Sequence, residues 1–172
     1  MGEPFVPFDD ESGAHLEPEE AASEGVLAAA ELFFHTVAAG DARGLWEQFS
    51  EAARAYILSL GHERGMDFDL TSRLRSGTAS EEEVDDFLGD LMTGIQKDLA
   101  GVDFSRLAFE SKAEPEAPMQ VRVHYLVRLG PDSPDFLTAV PAGSIVFSLE
   151  GDEWKIERLV PRPGDGGGER NT

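Results

Sequence analysis

Helical periodicity fills the first part of this chain and strand periodicity the second, and that order leaves few folds open. Between Ser23 and Leu99 apolar residues recur at three- and four-residue spacing, whereas from Arg106 to Val160 they alternate with polar ones. Helices followed by a run of strands predict an α+β domain, three helices packed on one face of an antiparallel sheet of about four strands. With 172 residues, 41% of them hydrophobic, the chain can bury one substantial core.

The spacing predicts a first helix from Ser23, as N-cap, to Ala39, with Val26, Leu27, Ala30, Phe33, Phe34 and Val37 on one stripe. Gly40 stops it and Asp41 can cap the next segment, a short turn with Leu45, Trp46 and Phe49. Ser50 is a second cap candidate, ahead of a helix from Ala52 to Leu60 that Gly61 ends. Residues 61–79 read as irregular, a length that suits a lid or binding loop. Ser80 and Glu83 form a capping box before the stripe Val84, Phe87, Leu88, Leu91, Met92, Ile95 and Leu99.

Leu107 to Lys112 reads as a strand. A longer one follows, with Met119, Val121, Val123, Tyr125, Val127 and Leu129 inward and Gln120, Arg122, His124, Leu126 and Arg128 outward. Phe136 to Glu150 is next, with Ile145, Phe147 and Leu149 inward and a bulge or bend expected at Pro141 and Gly143. Gly151 and Asp152 turn the chain into Trp154 to Val160.

Residues 1–22 hold seven acidic side chains and no lysine or arginine, and read as an acidic flexible arm with one apolar island, Phe5, Val6 and Phe8. Residues 163–172 read as a Gly-rich flexible tail, leaving 23–162 as a single domain. Across the chain 34 acidic residues face 14 basic ones, a formal charge of −20. Such a surface repels phosphate backbones and anionic lipid, so neither nucleic acid nor membrane is expected as a partner. The absence of cysteine rules out disulfides and thiolate chemistry. The first residues show no basic and apolar signal pattern, which makes a cytoplasmic location the expectation.

Three stretches carry a resemblance: AAAELFFHTVAAGDARGLWEQFS, the long bent strands after the third helix, and the closing GDEWKIERL. Together, over Glu24 to Val160, they resemble the nuclear transport factor 2-like, cystatin-like superfamily. The resemblance implies a cone, in which a curved sheet wraps helices and leaves an apolar pocket at its open end. It also implies frequent dimerisation through the outer sheet face. The superfamily includes isomerases, cyclases, dehydratases and many non-catalytic domains. Its enzymes usually place a catalytic carboxylate on a short strand after the second helix. Here that stretch stays helical through Leu60, so no catalytic residue carries over.

From the residues themselves, His62 is the first catalytic candidate, because it lies in the irregular segment near Glu63, Asp67 and Asp69. Asp67 and Asp69 alternate around Phe68 as in a short strand and can project to one side. Trp46, Tyr56 and Tyr125 are the side chains best suited to line a ligand cavity, each offering one polar atom in an apolar surround. Glu82, Asp86 and Asp90, with Glu83, read as a solvated helix face. No metal-binding or nucleophile motif appears, so no metal and no cofactor is expected. Outward-facing Arg122, His124, Leu126 and Arg128, joined by Lys155 and Leu159, form a cationic and apolar patch that needs a partner, either a second subunit in a homodimer or the acidic arm. The expected function is a pocket for a small, mostly apolar molecule or a protein partner, without catalysis. The alternative is a cofactor-free acid–base enzyme of isomerase, cyclase or dehydratase type.

Overall fold

A computed structural model describes residues 18–110, 112–130 and 139–161; most of the acidic arm, its apolar island, the tail and the turn after Gly130 lie outside the described residues. The helices are α1 (Pro18–Ala39), α2 (Ala42–Gln48), α3 (Glu51–Glu63), α4 (Phe68–Ser76) and α5 (Glu81–Asp98). A single 3₁₀ turn (Phe104–Arg106) leads into β1 (Leu107–Phe109), β2 (Glu114–Ala117), β3 (Gln120–Arg128), β4 (Ala139–Glu150) and β5 (Glu153–Pro161). The fold is α+β with an open antiparallel sheet, as the periodicities predict. No helix among the described residues is long and apolar enough to cross a membrane.

The caps explain most helix starts. Side-chain oxygens of Asp41, Ser50, Asp67 and Ser80 accept from the backbone N–H three residues on, opening α2, α3, α4 and α5. The capping box at Ser80 and Glu83 is complete. Ser23, expected as a cap, instead lies inside α1, which begins at Pro18. Proline suits a first helical position, and the PEEAA that follows combines anions near the positive helix end with good helix formers. Gly61 does not end α3 either. The helix continues to Glu63, and the left-handed residue is Gly65, at φ 109°.

The segment expected to be irregular contains α4, so Asp67 and Asp69 do not alternate as in a strand. Asp67 caps the helix and Asp69 sits in its first turn; Gly77, at φ 80°, closes it. The nine-residue segment is short and mostly polar, too brief for apolar periodicity to announce it.

The sheet is four strands wide. β1 and β2 lie end to end along the same edge of β3, so the strand expected from Leu107 to Lys112 is the first piece of a broken one. Three bulges bend the layer. Ala142 is extra on β4, where Pro141 and Gly143 foretold it; Glu116 is extra on β2, and Glu157 on β5. Each shifts the phase of its strand. Past Glu157, Leu159 pairs with fully buried Ile145 and packs against the core, not on the outer face as alternation predicts. Met119, expected inward, is 62% exposed at φ 63° in the β2–β3 turn.

Val26, Phe33 and Val37 of α1 share one core with Val123, Ile145, Phe147 and Ile156 of the sheet. The C-terminal half of α5 joins it through Met92, Ile95 and Leu99. The α2–α3 junction covers the free edge of β5. Ser50 donates its N–H to the Ile156 carbonyl at 2.9 Å, and its hydroxyl donates to Glu157 at 2.9 Å. At this point the edge of β5 is paired and cannot template association with another chain.

Candidate functional site

The concave side of the sheet, where the resemblance implies a pocket, is filled with aromatic rings. Phe34 stands at the centre, with centroids of Phe33, Tyr125, Phe104 and Phe109 at 4.9, 5.0, 5.2 and 5.9 Å. Tyr125 is 4% exposed and belongs to this packing; burial pushes its phenol above the usual tyrosine range. Among the described residues, no carboxylate or histidine is buried. What remains at that end is a shallow depression of about 320 Å³ beside His35 and Phe104.

The other two expected cavity residues lie elsewhere. Tyr56 is 64% exposed on α3 and points away from the core, because the face of α3 that turns inward carries Ala53, Ile57 and Leu58. Trp46 is half-buried on α2, edge-on to Phe87 at 5.4 Å, with the Arg54 guanidinium over its ring at 5.7 Å. The three aromatic residues therefore do not meet.

The acid–base candidates do not converge either. His62 Nδ1 lies 3.2 Å from the Met66 carbonyl, and its ring packs edge-on against Phe68. The Asp67 carboxylate accepts from Leu70 N at 3.1 Å, and Asp69 faces Arg73 at 3.9 Å. Capping and an i,i+4 pair engage the two carboxylates, and neither is paired with His62 among the described residues. Among the described residues, no three acidic or histidine side chains gather as metal ligands.

On the outer sheet face Arg122, His124 and Lys155 already have partners within the chain. The bulge at Glu116 swings its carboxylate onto Arg122, with Nε–Oε1 at 2.9 Å and Nη2–Oε2 at 3.0 Å, and onto Arg158 at 2.9 Å. Arg122 and Arg158 flank Val146 in adjacent strands, and Val146 is fully buried. Arg122 also donates to Ser144, and His124 Nε2 lies 3.1 Å from Glu114. The Arg122 hydrogen bonds, aided by both guanidinium charges, hold the Glu116 carboxyl below its usual range. Farther along β3, Leu126 is half-buried and Arg128 exposed. Sequence reasoning counted the cations but could not see that a bulge delivers the matching anion.

A groove of about 580 Å³ lies where α3, α4 and α5 meet. Its floor is Ile57, Leu60, Met66, Leu70, Phe87 and Leu91, and it stays open to solvent along one side. Gly61 lets the Met66 methyl come closer than any Cβ would allow; a Cβ there would lie 2.6 Å from it. Along the α5 rim run Glu83, Asp86 and Asp90, with Arg64 also lining the groove. Arg73 binds Glu83, and that hydrogen bond, with the capping bond from Ser80, keeps its carboxyl below the usual range. Asp86 and Asp90 have no ion-pair partner among the described residues. Both are exposed, as a solvated helix face requires, and both also edge the groove.

A signal for this groove was present in the α5 stripe. Leu88, Met92, Ile95 and Leu99 are buried, whereas Val84, Phe87 and Leu91 are only half-buried. The stripe is wide enough to serve two surfaces, one against the core and one against the groove. Comparison of the chain with protein-family models, with curated proteins and with solved structures yields no match.

Proposed function

We propose that this protein is a non-catalytic binding module whose site is the groove between α3, α4 and α5. One observation carries the reading: six apolar side chains form an open floor, and four of them, Leu60, Met66, Leu70 and Phe87, stand outside the main core. Water on such a floor is readily displaced by an apolar surface. The filled sheet interior and the separation of His62 from Asp67 and Asp69 favour binding over acid–base chemistry. We read the chain as a cone-type domain of the nuclear transport factor 2-like kind, in which aromatic rings have closed the usual hollow and recognition has moved to the helices.

Nile red, a neutral dye that brightens in apolar surroundings, tests the site. Wild-type protein is expected to enhance its emission, and Leu70→Asp, a change on the rim of the fold, to abolish that enhancement while the melting temperature stays near wild type. Equal enhancement by both proteins would refute the assignment.

A further inference from the structure

We infer that the groove receives a basic amphipathic helix of a partner protein; this rests on the groove being the binding site. The floor suits the apolar face of a helix, in which two or three large side chains at i, i+3, i+4 or i+7 anchor the contact. Because the groove is open along one side, a small molecule lying in it would keep much of its surface in water, whereas a helix brings its own polar back.

Charge selects among the macromolecules. Asp86 and Asp90 lie four residues apart on α5, about 6 Å along the axis. Both edge the groove and neither is neutralised by an ion pair among the described residues. A partner helix with lysine or arginine one turn apart beside its apolar face matches that spacing. The chain's own first 22 residues, with seven carboxylates and no lysine or arginine, are repelled from this rim, and so is a second copy at −20. Nucleic acid and anionic membrane are disfavoured on the same ground. Among the described residues Arg64 is the one cation lining the groove; on the α5 edge Glu83 is paired with Arg73, which leaves Asp86 and Asp90 as the open anionic pair.

The test uses two synthetic helices of identical pattern, one of leucine and lysine and one of leucine and glutamate, each labelled for fluorescence anisotropy at physiological ionic strength. The leucine–lysine helix is expected to bind the wild-type protein one to one and the leucine–glutamate helix not at all. Asp86→Lys with Asp90→Lys is expected to weaken binding about tenfold or more. Asp98→Lys with Asp152→Lys makes the same change in net charge away from the groove, and is expected to weaken it less than about threefold. Thermal melts of both double variants confirm folding. Equal weakening by the two double variants, or equal binding of the two helices, overturns the inference. If Nile red still reports the groove while the leucine–lysine helix fails to bind, the partner assignment alone is wrong. If both fail, the groove assignment falls with it.

Discussion

Replacing Gly143 by alanine tests the packing that fills the concave side of the sheet. Gly143 sits beside the Ala142 bulge at φ 152° and pairs across the ladder with Tyr125. A Cβ there would stand 2.4 Å from Tyr125 Oη, 2.7 Å from its Cζ and 3.0 Å from the Val160 carbonyl oxygen. The ring cannot simply retreat, because Phe34 packs on it at 5.0 Å and Tyr125 is only 4% exposed. Strained backbone adds about 1–3 kcal/mol for a residue with a side chain. Overpacking a filled core adds about 1–3 kcal/mol more. Gly143→Ala should therefore cost about 2–6 kcal/mol, a drop in melting temperature of roughly 5–20 °C for a chain of this size. Tyr125→Phe removes the closest contact but not the one to Cζ. In that background the alanine should cost less, with a coupling of about 1 kcal/mol in a double-mutant cycle. Urea and thermal unfolding of the four proteins measure both quantities. A Gly143→Ala protein within about 0.5 kcal/mol of wild type, with no coupling to Tyr125→Phe, would refute the argument that ring and glycine are packed as one unit.

Ser50→Ala should destabilise by about 1–3 kcal/mol in urea titrations, since Ser50 is fully buried, caps α3 and reaches Glu157 across the sheet edge. The Glu116 carboxyl is held below its usual range by Arg122 and Arg158, so its contribution to stability is complete above the ordinary carboxylate pKa and is lost as pH falls through the depressed value. Glu116→Gln should accordingly lower stability near neutral pH and flatten the acid limb of a stability–pH profile; an unchanged limb would show that the network contributes nothing.

Much of the fold is legible in the residues because its determinants are local. The capping box at Ser80 and Glu83, the caps at Asp41 and Ser50, the buried alternation of Val123 and Tyr125, and the irregularity at Pro141 and Gly143 each act within a few positions. α4 escaped because a short polar helix has no stripe, although its cap Asp67 and its stop Gly77 were both in view. Leu159 was misplaced for another reason. The bulge at Glu157 adds one residue to β5, so strict alternation assigns the side chains after it to the wrong side.

The candidate site was the least legible part. Trp46, Tyr56 and Tyr125 were chosen for amphipathic character, yet that character cannot say which surface each residue meets. Residue order alone dictated the α+β class, the helix starts at Asp41, Ser50 and Ser80 and the acidic field, since periodicity, capping and net charge are properties of neighbours and sums. Tertiary packing decided that aromatic rings fill the sheet's concave side, that Glu116 satisfies Arg122 and Arg158, and that a half-buried edge of the α5 stripe becomes a groove. Each of these depends on which distant segments come to lie side by side, and volume left over between helices is a property of the assembly, not of any stretch of chain.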